Sequence, residues 1–145
     1  EGGFSYIFLS TEIVKAWNHV RDDEQEKAHD ILQGVIAEAE SRELTDITVN
    51  AKLYYGTNAL QSGDLPTAKR YAQWVIETAQ TMKYVWLEIR GYQLLHAIEA
   101  KEGSHSHQAE KRVRELMDFI RRHTQTVELR SALDRYIEII LKDFS

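Results

Sequence analysis

The chain has no cysteine, one proline, seven glycines and no apolar run approaching the ~18 residues of a membrane span. Each scarcity excludes something. Without cysteine there is neither a disulfide nor a thiolate metal site, which fits a reducing, cytoplasmic setting. With so few breakers in 145 residues, an all-helical chain is the first expectation. The start lacks the basic, apolar, small-residue order of a signal peptide, and no membrane partner is expected. It opens Glu1-Gly2-Gly3 without methionine, which reads as a piece of a longer protein or a short appended sequence. An excess of base is also missing. The net charge is −5, and residues 1–50 hold eleven acids against four bases. Residues 101–145 hold nine bases and eight acids. Such a chain has no general attraction for a polyanion, so direct nucleic-acid binding is not expected. Apolar residues at 43% and charged residues at 28% are ordinary for a single domain large enough to bury a core.

What the chain does have is an internal repeat. With Ala28, Ala68 and Ala109 aligned, one apolar helical stripe recurs: Leu32, Val35, Ile36, Ala39; then Ala72, Val75, Ile76, Ala79; then Val113, Leu116, Met117, Ile120. A small residue follows each stripe, at Ala51, Gly91 and Ala132. A period of about 40 residues carrying such stripes is the signature of stacked helical hairpins. The middle hairpin is clearest. A helix from about Thr45 to Ser62 ends at Gly63, Asp64 caps the next helix, and Pro66 sits in its first turn; that helix runs from Leu65 to about Met82. The third pair, closed by Glu102-Gly103, continues from His107 to about His123, with Trp86 in its apolar stripe. The first pair spans about Tyr6–Val20 and Glu24–Arg42. Its opening helix carries Ile13, Val14, Trp17 and Val20 on a slightly rotated face. The cluster Phe4, Tyr6, Ile7, Phe8, Leu9 either completes that helix or once packed on a preceding repeat. A last helix over Val127–Phe144, with the stripe Leu129, Ala132, Leu133, Tyr136, Ile137, Ile140, is expected to cap the stack. The expectation is an all-α, right-handed superhelical stack of about seven helices in one domain over 1–145. Its repeats lie near 6–44, 45–84 and 85–125, with a capping helix at 126–144.

Gly56, Gly63, Leu65 and Ala68 sit where the tetratricopeptide repeat places a small residue, the turn glycine, an aromatic or leucine, and an alanine, and the chain resembles that family. The third repeat keeps Gly103 but has His96 at the small site and one inserted residue. The first keeps Ala16 and Ala28 but has Asp23 for the glycine, and the usual tryptophan position holds Lys52 and Tyr92. The long period is similar to the longer-helix variants of bacterial signalling ATPases, MalT-like regulators and kinesin light chains. The resemblance implies a concave groove lined by first helices. It maps there Ile13 and Trp17; Asn50, Leu53, Thr57 and Gln61; and Arg90, Gln93 and Lys101. The lysine–asparagine–arginine clamp of chaperone-binding members is not present, so an apolar or amphipathic segment is the expected ligand.

No catalytic template is found: no glycine-rich phosphate loop, His-Glu-x-x-His, nucleophile elbow or thiol. Neither enzyme activity nor a cofactor is expected. His105 and His107 share a loop but lack the further ligands of a metal site, so no metal is assigned. Arg112, Arg114, Arg121, Arg122 and His123 are interleaved with Glu110, Glu115 and Asp118, which favours a solvated, ion-paired face over an anion patch. Trp74 lies off its helix's stripe, and Trp17 is the best anchor for a partner. These readings converge on a non-enzymatic scaffold within a bacterial regulatory or signalling protein, binding a protein or peptide. Self-association through apolar ends, or sensing of a small ligand in a transcription regulator, are the alternatives.

Overall fold

The structure, a computed structural model, describes residues 2–104, 107–124 and 127–144, with side chains from residue 5 onward and, in the last segment, from residue 129. Seven α-helices follow one another: α1 (Gly2–Arg21), α2 (Gln25–Ser41), α3 (Thr45–Gln61), α4 (Leu65–Met82), α5 (Val85–Glu102), α6 (His107–Arg122) and α7 (Val127–Leu141), then a 3-10 turn at Lys142–Phe144. No strand occurs among the described residues.

The turns set the architecture. Asp23, Glu43, Gly63, Lys83 and Gly103 all have positive φ, from 57° to 83°, and they recur at equal intervals along the chain. Each repeats the same two hydrogen bonds. At the third turn Gly63 N–H donates to the Leu60 carbonyl at 3.1 Å and Asp64 N–H to the Ala59 carbonyl at 2.9 Å. The same pair closes the other four turns, so a hairpin is joined to the next one by the turn that joins its own two helices. Sequence shows only the two glycine members of the series. Asp23, Glu43 and Lys83 adopt the same left-handed geometry with a side chain in place.

Stacking follows from close approach at small residues. A Cβ on Gly91 would lie 2.8 Å from Ile76 Cγ1, and one on Gly56 would lie 2.9 Å from Leu94 Cδ2 and 3.2 Å from Tyr71 Cβ. Three apolar clusters run along the stack. The first is built around Leu32, Val35 and Ile47, the second around Val49, Val75 and Ile98, and the third around Ile89, Val113 and Met117. The stripes read from α2, α4 and α6 are the faces that bury, except that Ile120 is only half-buried.

Four expectations need correction. On α1 the buried face is Leu9, Ile13, Ala16 and Val20, whereas Val14 is 59% exposed. The helix starts at Gly2 rather than near Tyr6. Trp86 is exposed and meets Tyr136 edge-on at 5.4 Å instead of entering the core. On α7 the buried side is Ile140, with Ile137 and Leu141 partly covered, while Leu129, Ala132 and Tyr136 of the expected stripe are exposed. Trp86 stands at the register of Tyr6 and Asp46, which the earlier hairpins do not bury either, whereas the end of the stack departs at another position. His96 occupies the register that holds Ala16 and Gly56, so α5 and α6 are in sparser contact than the earlier pairs, and Phe144 fills in against the His96 ring at 4.8 Å. The expectations about His105, and about the side chains of Phe4 and Val127, fall outside what is described.

Replacing Glu43 or Lys83 by glycine relieves a side chain held at positive φ and is expected to raise unfolding free energy by about 1 kcal/mol each, read by urea denaturation. Asp64 gives a second expectation. Thr67, through its hydroxyl first and its backbone N–H second, holds the Asp64 carboxyl below the usual carboxylate range. The folded chain therefore takes up that proton less readily than the unfolded chain. The stabilisation is complete above the ordinary carboxylate range and is lost as pH falls through the depressed folded value. Asp64→Asn should leave a smaller drop in stability between about pH 6 and about pH 3 than wild type shows.

Candidate binding surface

The odd-numbered helices touch one another in series, α1 with α3 and α3 with α5, whereas no comparably close contact joins α2 to α4 or α4 to α6 among the described residues. One side of the stack is therefore a continuous layer of first helices. Three residues meet across it. The Trp17 ring on α1 lies 5.0 Å from that of Tyr54 on α3. Arg90 on α5 reaches the same tyrosine, its guanidinium carbon 5.0 Å from the ring centroid and Nη2 donating to the hydroxyl at 3.2 Å. All three are half-buried, and Arg90 has no carboxylate at ion-pair distance among the described residues.

The other residues assigned to this surface divide into three groups. Ile13 and Leu53 are 7% and 3% exposed and belong to the core, because their register faces the next hairpin; they cannot meet a partner. Asn50 and Thr57 spend their donors on their own helix, Nδ2 to the Asp46 carbonyl at 3.0 Å and Oγ1 to the Leu53 carbonyl at 2.9 Å. Gln93 donates to Asp143 Oδ2 at 2.8 Å, so the chain's own C-terminal turn covers it. Gln61 and Lys101 are exposed near the C-terminal ends of α3 and α5. Trp17 and Arg90 are thus brought together through Tyr54, whose ring also packs on the first apolar cluster.

Elsewhere the polar groups serve the fold. Arg112, Arg114 and Arg121 pair with Glu88, Glu110 and Asp134 at 3.1, 3.1 and 2.8 Å, and Arg122 donates to the Asp118 carbonyl. Trp74 is half-buried beneath the Lys52 ammonium, 3.7 Å from its ring centroid. Glu88 is the most buried acid described, its side chain 4% exposed, and it accepts from Arg112 and, at 3.2 Å, from Gln80. Gln80 also donates to the Tyr92 hydroxyl at 3.2 Å, and burial first, then the Glu88 charge, pushes the Tyr92 hydroxyl's pKa up. Three buried atoms, Asn58 Oδ1, His96 Nδ1 and Glu99 Oε2, have no hydrogen-bond partner among the described residues. No group of three metal-binding side chains forms among the described residues, and no described helix is long and apolar enough to cross a membrane.

No protein-family model, curated protein or solved structure matches this chain.

Glu88→Gln keeps the shape but removes the charge from the Arg112–Gln80 contact. Because Arg112 is part-exposed, the expected loss is about 1–3 kcal/mol in urea denaturation, with α-helical circular dichroism unchanged.

Proposed function

We propose that this chain is a non-enzymatic interaction module, a tetratricopeptide-like array that takes a peptide or helix along the layer formed by α1, α3 and α5. The observation that carries this reading is the Trp17–Tyr54–Arg90 contact. It spans three hairpins and leaves a guanidinium on an aromatic base, with no acid of its own among the described residues. Aromatic and arginine side chains are the usual anchors of protein interfaces, and a guanidinium binds a carboxylate through paired hydrogen bonds. Arg21, Gln61 and Lys101 add exposed donors along the same side. The ligand chemistry that fits is a segment with an apolar or aromatic side chain beside an acidic one. The setting in a bacterial regulatory or signalling protein rests on the long repeat period alone.

Panning a random peptide display library on the purified protein tests this. The expected outcome is enrichment of sequences with an acid next to an aromatic. Arg90→Ala and Trp17→Ala should each weaken the selected peptides about tenfold or more while the helical spectrum is retained. Failure to select any sequence, or peptides indifferent to both variants, would sink the assignment.

A further inference from the structure

Inside the stack each first helix lays the same face on the hairpin before it. On α3 and α5 that face is Ile47, Ala51 and Tyr54, and Leu87, Gly91 and Leu94. Beside it one polar residue meets the preceding second helix: Lys52 lies 3.8 Å from Glu40, and Tyr92 accepts from Gln80. One repeat earlier the face on α1 is Ile7, Thr11 and Val14, with Glu12 at the register of Lys52. Nothing among the described residues covers it. Ile7 and Val14 are 68% and 59% exposed, and Phe8 borders a cleft of about 590 Å³ that runs to Ile31 and Gly34 on α2. The acids Glu12, Asp30 and Glu38 line that cleft with one base, Arg42, which pairs with Glu38, while the exposed Lys15 lies 3.1 Å from Glu12.

The opposite end carries the complement. On α7, Ala132, Arg135, Tyr136 and Ile139 share one face by helical spacing and all are exposed, Ile139 at 60%. Arg135 sits in the middle of this face with no ion pair to a described acid. We propose that a second copy of this chain docks head-to-tail, α7 of one molecule lying on the α1 face and Phe8 cleft of the next, with Arg135 opposite Glu12. The contact places a first helix on a first helix, and its charge pair is the reverse of Lys52 with Glu40 inside the stack: α1 supplies the acid and the seated helix the base. It also covers two exposed apolar faces at once. A two-fold contact between α1 faces is disfavoured, because it would bring Glu12, Asp30 and Glu38 against their own copies. Head-to-tail contacts of this type do not close, so the assembly grows with concentration.

Sedimentation velocity of the whole chain at low salt, over a wide concentration range, tests the proposal. The expected result is a mean mass that rises with concentration and falls when salt is added. Glu12→Arg and Arg135→Glu should each weaken association about tenfold or more. An equimolar mixture of the two should associate again, since every contact between them joins opposite charges. Val14→Lys and Ile139→Lys, at exposed positions, should keep the helical spectrum and remain monomeric. A wild-type chain that stays monomeric at every concentration overturns the proposal, whatever other helix the cleft accepts. Charge variants that associate like wild type, or a mixture that fails to recover, overturn it equally.

Discussion

The left-handed turn that recurs at equal intervals, from Asp23 to Gly103, is the constraint on which the rest of this structure depends. Because the turn within a hairpin and the turn between hairpins are the same, successive helices have nearly equal length and equivalent residues return to equivalent places after every second turn. Helix faces then stack in register, which is what lets Ala51 and Gly91 meet the second helix before them. It also explains the long period. Helices of 16 to 20 residues joined by one tight turn leave no room for a shorter repeat. Three of the five turns tolerate an ordinary side chain at positive φ, so packing over the flanking helices outweighs a local cost of about 1 kcal/mol at each.

Much of this was legible in the sequence. The stripes on α2 and α4 and the Pro66 start read directly, because a buried helix face imposes a 3.6-residue pattern that few other demands interrupt. The open side of the first helices was less legible, and Ile13 and Leu53 show why. Carrying motif positions over places them on the open side, yet both are large aliphatics on a face that the following first helix covers. Their chemistry was the better guide. Tyr54 serves both sides: its ring packs on the first cluster, and its hydroxyl accepts from Arg90 on the open side. No local pattern reveals that Trp17 and Arg90 converge, since they lie on the first and third hairpins and meet only through a residue of the second.

The C-terminal end departs from the repeat through one residue. A histidine at the register of Ala16 and Gly56 cannot lie at the distances measured around Gly56, where even a methyl would touch Leu94 and Tyr71. The third hairpin opens, α7 settles with Ile140 inward, and Phe144 and Asp143 close over His96 and Gln93. Tyr136 and Ile139 are left exposed on α7. The buried His96 Nδ1, without a partner among the described residues, is a mark of the same misfit.

The distribution of variation among the hairpins follows the face proposed to bind. Registers consumed by stacking keep their type from one repeat to the next: Ile47 and Leu87, Ala51 and Gly91, Val35 and Val75. Registers on the open side of the first helices do not. Ser10, Asn50 and Arg90 share one position, and Trp17, Thr57 and Ala97 share another. Packing restricts volume and polarity where helices touch, so freedom to differ is greatest where they do not. A periodic scaffold can acquire a preference for one ligand only by breaking its period. Here the break is an aromatic at one end of the layer and a guanidinium at the other, joined over Tyr54. The end faces break it differently, by charge: Lys52 with Glu40 inside the stack becomes Glu12 at its N-terminal face. The proposed binding along the first helices and the proposed docking at the ends therefore draw on separate residues of one fold, and either can change without disturbing the turns that hold it together.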